Sequence, residues 1–216
     1  MLAWFGASLY NGKTADCEWL LYIRMIHVCW EETMIEQLLT LDGNILLWIQ
    51  DHVRAEWLTP IVKMITKLGG LGFIWIVLCL FLLCFKKTRQ AGVAGLVALV
   101  LSLIINNAIL KKLVARTRPY EMIDGLKLLT KKATDFSFPS GHSASAFAAA
   151  AAICKTQKGS KWRWIVLIGA VCMALSRLYI GIHYPSDVIC GALSGTLCGL
   201  AAAFLTDAAV KYFRKV

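Results

Sequence analysis

From residue 68 onward, long apolar runs bounded by charged residues dominate the chain. Eighteen consecutive uncharged residues lie between Lys67 and Lys86, 21 between Arg89 and Lys111, and 19 between Asp187 and Asp207. A bilayer core about 30 Å thick takes about 20 helical residues, so each run predicts a membrane-spanning helix. Two further runs, 136–154 and 164–182, are interrupted only by His142 and Arg177 respectively. Ionisable groups in such positions are costly and are functional candidates by default. The pattern therefore predicts an all-α integral membrane bundle of five to six transmembrane helices. The segment 34–57 reads as an amphipathic helix at the membrane interface, with Leu38, Leu39, Leu41, Ile45, Leu46 and Ile49 as its apolar positions. A weak sixth span is the alternative. Residues 1–33 have no coherent period, 58–210 form the membrane domain, and 211–216 form a basic tail.

Composition supports this reading. The chain has 216 residues, of which 58% are hydrophobic and only 17% charged, and its mean hydropathy is +0.64. That is too little charge for the surface of a soluble domain, and it excludes a disordered chain. A nucleic-acid binder would be polar as well as basic, so the net charge of +10 reads as topogenic. Residues 1–57 carry three bases against eight acids, whereas 58–216 carry twenty against five. By alternation of spans, the bases at 86–89, 155–163 and 211–215 share one side, which the positive-inside rule makes cytoplasmic. Loops 111–135 and 183–187 then face outward, in a multi-pass protein of the cell membrane. No basic segment, apolar run and small-residue cleavage site open the chain, so no cleaved signal peptide is expected.

Cys79, Cys84, Cys154, Cys172, Cys190 and Cys198 lie in apolar stretches without a CxxC pair, and are expected to be buried packing residues. Cys17 and Cys29 fall in the segment without a pattern. Gly191, Gly195 and Gly199 form a doubled GxxxG, and alanines dominate 144–152. Small residues at this spacing let helix backbones approach closely, within the chain or between subunits.

Polar residues of the outward side fall into three clusters: Lys111 through Arg118-Pro119, Pro139-Ser140-Gly141-His142, and Ser176-Arg177 through His183 to Asp187. Singly, they read as snorkelling bases, a helix-start turn and an Arg–Asp pair. Together on one membrane face they fit a phosphate. Lys111, Arg118 and Arg177 supply cations for its oxygens. Ser140 and Gly141 begin a helix whose free N–H groups attract an anion. Two histidines suit a nucleophile and an acid that split hydrolysis into two steps. A turn through Pro185 would bring the Asp187 carboxylate to one ring nitrogen of His183. No acid cluster suggests a metal site, so a metal-free reaction without a cofactor is expected. Asn106 and Asn107 read as interhelical hydrogen-bond formers or as a head-group pocket above Lys111.

The motifs K-x6-RP, PSGH and SR-x5-H-x3-D, complete and in order between 111 and 187, resemble those of the type-2 phosphatidic-acid phosphatase superfamily, which includes membrane lipid phosphatases and vanadium haloperoxidases. The resemblance implies that His183 attacks phosphorus to give a phosphohistidine, with Asp187 orienting it and His142 protonating the leaving oxygen. It implies phosphate binding by Lys111, Arg118, Ser140, Gly141 and Arg177, and a fold usually of six transmembrane helices. This chain departs from that pattern at its poorly hydrophobic first helix. The segment that begins at Met34 resembles the start of short bacterial members, which makes 1–33 a candidate over-extended start. The short architecture resembles undecaprenyl-diphosphate phosphatases; phosphatidylglycerophosphate or phosphatidic acid is the alternative substrate. Vanadate-dependent peroxide chemistry is usual in longer, soluble chains. A non-catalytic lipid-binding role would leave the complete motif set unexplained.

Overall fold

A computed structural model of the chain describes the backbone of residues 15–213, and the side chains of 34–213 except Leu71. The described residues are helical, without strands: α1 (Ala15–His52), α2 (Thr59–Leu68), α3 (Phe73–Leu83), α4 (Arg89–Ser102), a π-helical stretch (Leu103–Leu110), α5 (Lys111–Val114), α6 (Pro119–Met122), α7 (Gly141–Thr156), α8 (Arg163–Tyr179) and α9 (Pro185–Phe213). The chain divides into two compact units, Met1–Leu41 and Asp42–Val216.

In the first unit the helix begins at Ala15, well before the amphipathic segment expected at 34–57. From Ala15 to His52 there is no proline and a single glycine, Gly43, so nothing local interrupts it. Met34, Ile35, Leu38, Leu39 and Leu41 are exposed. The side chains of 1–33, and with them Cys17, Cys29 and the proposed over-extended start, lie outside the described residues, as does the tail beyond Phe213.

In the second unit, α7 packs against α4, α8 and α9. Ala146, Ala148, Ala149, Ala150 and Ala152 of α7 are fully buried. The α9 glycines answer this smooth surface. A β-carbon on Gly191 would sit 2.6 Å from the Ser140 carbonyl oxygen, and one on Gly195 or Gly199 would overlap the carbonyl of Ala144 or Ala148. The small-residue stripe therefore packs within the chain. Outward faces remain apolar, with Ile165, Ile168, Leu193, Leu197 and Phe204 all exposed, as lipid-facing surfaces require.

Two segments, Arg89–Met122 and Pro185–Phe213, are long and apolar enough to cross a membrane, and the pair α2 and α3, bent by 59°, makes up to three. Helices α7 and α8, at 16 and 17 residues, reach roughly 25 Å at 1.5 Å per residue, short of a full hydrocarbon core. The cysteine expectation needs correction: Cys79 and Cys198 are buried, but Cys84 and Cys172 are exposed. An apolar position in such a bundle is as much at home facing outward as inward.

Replacing Gly195 by Ala should cost about 1–3 kcal/mol by overpacking against α7. It should lower the unfolding temperature of the detergent-purified protein. Gly159→Ala, where nothing lies within 4 Å of the added carbon, is the control expected to leave it unchanged.

Candidate active site

The π-helical stretch runs directly into Lys111, and Ala115, at φ 47°, ends α5. The chain turns there, so that Arg116 and Arg118 follow in quick succession before Pro119 starts α6. Lys111 and Arg118 are buried. Arg118 donates from Nε to the Asp135 carbonyl at 2.9 Å and from Nη1 to the Ile182 carbonyl at 2.9 Å. Its Nη2 reaches Asp135 Oδ1 at 2.5 Å, while Lys111 Nζ reaches Asp135 Oδ2 at 2.6 Å. Both cations read as phosphate ligands thus hold one carboxylate between them. Burial alone would raise the Asp135 pKa, but the hydrogen bond and charge of Lys111, with those of Arg118, hold it down at about 2.

Ser140 caps α7: its hydroxyl accepts from the Ser143 N–H at 3.4 Å and from the Ser143 hydroxyl at 3.0 Å. Its own N–H donates to the Asp187 carbonyl at 3.1 Å, tying the second motif to the third. Gly141 is required by a close neighbour, since a β-carbon there would lie 3.0 Å from Asn107 Oδ1. His142, one residue into the helix, lies against the Thr66 backbone and within electrostatic reach of Arg177, His183 and Lys111. A β-carbon on Gly69 would lie 2.9 Å from its ring. Thr66 also accepts a hydrogen bond from Arg177 Nη1, and Arg177 Nε is buried without a partner among the described residues.

His183 is buried in the turn between α8 and α9. Its Nδ1 lies 3.5 Å from Asp187 Oδ2, too long to satisfy it as a hydrogen bond, so the expected orienting contact is present only as a loose approach. Burial lowers the His183 pKa to about 4; Arg177 and Arg118 act in the same direction, against Asp187. The ring is therefore neutral near pH 7, the state a nucleophile needs.

Asp187 is held by more than His183. Oδ2 accepts from the Ser137 hydroxyl at 2.5 Å and the Tyr184 N–H at 3.0 Å. Oδ1 pairs with Arg116 Nη1 at 2.7 Å, and Arg116 Nη2 pairs with Asp42 at 2.8 Å. Asp42 also accepts from the Ser186 N–H at 3.0 Å and hydroxyl at 2.5 Å. Arg116 lies 3.7 Å from the centre of the Tyr184 ring, a cation–π arrangement.

All eight motif residues thus gather at one end of α7, α8 and α9, linked by Ser140–Asp187, Arg118–Ile182 and the Asp135 bridge. Sequence reasoning did not single out Arg116, Asp42, Ser137, Ser186, Thr66 or Asp135. Arg116 sits inside the first motif, where its charge was absorbed into a basic run. Asp42 was one acid among eight. The two asparagines divide: buried Asn106 accepts from the Ser194 hydroxyl at 2.5 Å, an interhelical bond, while exposed Asn107 borders Gly141. Among the described residues, no three His, Cys, Asp or Glu side chains are grouped to hold a metal ion.

The model of the PAP2 superfamily matches residues 91–210. An undecaprenyl-diphosphatase of Sulfolobus acidocaldarius is 36% identical over 128 residues, 59% of this chain and 61% of that one. The bacitracin transport permease protein BcrC of Bacillus licheniformis is 33% identical over 114 residues, 53% of this chain and 55% of that one. The chain thus spans only about three fifths of these relatives. The crystal structure of a transmembrane PAP2-type phosphatidylglycerolphosphate phosphatase from Bacillus subtilis superposes with a TM-score of 0.65 at 26% identity, over 80% of this chain and 87% of that one.

Arg116→Ala should be strongly destabilising, by about 3–5 kcal/mol, because it leaves Asp42 and Asp187 buried without their shared cation. Thermal unfolding in detergent measures this. Arg116→Lys should recover only part of the loss, since an ammonium cannot fork between two carboxylates.

Proposed function

This chain belongs to the PAP2 superfamily, and from that premise we propose that it is a metal-independent membrane hydrolase acting on a lipid phosphate or diphosphate, with undecaprenyl diphosphate as substrate. The observation that carries the reading is the convergence of Lys111, Arg118, Arg177 and the capped start of α7 on the neutral His183. The relative named for undecaprenyl diphosphate supports the substrate. Phosphatidylglycerophosphate is the second reading, favoured by the fold shared over 87% of a phosphatase of that lipid.

In the reaction, His183 Nε2 forms a bond to the terminal phosphorus as the bond from phosphorus to the bridging oxygen breaks. His142 gives its proton to that oxygen, and the shorter lipid phosphate leaves. Water then attacks the phosphohistidine, passes a proton to His142, and inorganic phosphate departs. Lys111, Arg118, Arg177 and the free N–H of Gly141 at the start of α7 meet charge on the equatorial oxygens, a contribution that grows towards the five-coordinate transition state. Asp187, held by Ser137, Tyr184 and Arg116, orients His183 and offsets the charge the ring acquires.

Phosphate release from vesicles carrying undecaprenyl diphosphate, phosphatidylglycerophosphate or phosphatidic acid tests the reading. Release should be fastest with the first lipid, should persist in EDTA, and should vanish in His183→Ala. His142→Ala should lose far less activity on a nitrophenyl phosphate than on the lipid, because a good leaving group needs little protonation. Equal losses would remove His142 as the acid. No release from any of the three lipids would leave lipid binding without catalysis.

We further propose five spans, at 68–85, 90–110, 136–154, 164–182 and 188–206, with 34–57 at the interface and the site facing outward. The basic loops support this orientation. In a cysteine-free background, an impermeant thiol reagent on intact cells should label a cysteine at Lys127 but not one at Lys158. The reverse pattern would place the reaction in the cytoplasm.

A further inference from the structure

The opposite end of α7 carries a second concentration of cations, around a cleft. Between α7, α8 and α9 lies a cavity of about 690 Å³, with Phe147, Leu167 and Leu200 on its walls and Lys155, Lys158 and Arg163 among its lining residues. No acidic residue lines it, and among the described residues none of the three bases is in an ion pair. Lys155 is poised 4.5 Å above the Phe204 ring, and the Arg163 carbonyl accepts from the Cys154 thiol, which joins the end of α7 to the start of α8. The cavity is distinct from the candidate active site: Lys155 and His142 are thirteen residues apart on α7, about 20 Å along the axis.

An apolar cleft between helices with unpaired bases at one end matches an amphiphile that carries an anionic head and an acyl chain. A soluble anion has no use for the apolar walls, and a zwitterionic lipid sets its own cation against the three bases. We propose that this cleft is a binding site for an anionic phospholipid of the leaflet opposite the active site. Lys155, Lys158 and Arg163 take the phosphate, and one chain lies along Phe147, Leu167 and Leu200. Charge complementarity selects the occupant: basic pockets between transmembrane helices recruit acidic head groups. The site joins the end of α7 and the start of α8 to the middle of α9, so its occupant braces the frame that carries the catalytic motifs without touching them.

The test uses the full-length protein in detergent, with phosphatidylglycerol and phosphatidylcholine of equal chain length as probes, read by native mass spectrometry and thermal unfolding. Phosphatidylglycerol should remain bound and raise the unfolding temperature, and phosphatidylcholine should do neither. Lys155→Ala/Lys158→Ala/Arg163→Ala should weaken phosphatidylglycerol binding by at least about tenfold while leaving hydrolysis of a soluble phosphate ester intact. Equal binding of the two lipids would overturn the proposal. So would phosphatidylglycerol binding that survives the triple substitution but is lost in Lys111→Ala or displaced by inorganic phosphate, because the lipid would then occupy the catalytic site. Should the triple variant fail to fold, Lys158→Glu at an exposed position carries the test. Weaker binding supports the site, and unchanged binding refutes it.

Discussion

The close approach of α9 to α7 is the constraint on which the rest of the second unit depends. Gly191, Gly195 and Gly199 allow the α9 backbone to lie against the carbonyls of Ser140, Ala144 and Ala148. Dispersion across such a seam is a principal source of helix association when both helices are surrounded by hydrocarbon. It also sets the chemistry, because the seam ends where the Ser140 N–H meets the Asp187 carbonyl. The N-terminus that attracts an anion and the turn that carries His183 are thereby locked in register. Under the proposed function, a shift of α9 along α7 would separate the phosphate oxygens from their attacking nitrogen.

Electrostatics imposes the second constraint. Lys111, Arg118 and Arg177 are all buried close together, an arrangement that desolvation and mutual repulsion both oppose. Two carboxylates offset that cost in different ways. Asp187, wholly buried and hydrogen-bonded by Ser137, Tyr184 and Arg116, is part of the frame. Asp135 lies half exposed in a loop and bridges Lys111 and Arg118. Its two oxygens stand where two oxygens of a phosphoryl group would be held under the proposed function.

The sequence made the motif residues legible because each is a charged or turn-forming type at the end of an apolar run, where membrane physics permits few such residues without a reason. The helical class was legible for the same cause: in lipid, unpaired backbone groups are too costly for open strands. Arg116, Asp42 and Ser186 were not, because their significance lies in a three-way meeting of α1, the turn after α5 and the start of α9. No spacing along the chain encodes that meeting. The helix at 15–33 is not legible as periodicity, because that stretch carries no apolar period, although it holds no proline or glycine to interrupt a helix. The lengths of α7 and α8 also differ from the apolar runs that predicted them. Ser140 caps the start of α7 and α8 stops at Tyr179, and hydropathy registers neither a cap nor a turn.

The Asp135 bridge bears on how an anion is admitted. A site of three exposed, hydrated cations would pay their full desolvation when substrate enters, and would bind any anion that arrived. Here Lys111 and Arg118 are already desolvated and already paired, so entry exchanges one anion for another. The newcomer must offer more than a carboxylate does. A tetrahedral phosphoryl group presents three terminal oxygens, enough to satisfy Lys111 and Arg118 and still reach Arg177, whose Nε is unpaired among the described residues, and the N–H groups at the start of α7. A carboxylate, with two oxygens in one plane, has none left for that second set. Under the proposed function, preference for phosphate follows from the number and arrangement of donors that Asp135 leaves unsatisfied, not from the total positive charge.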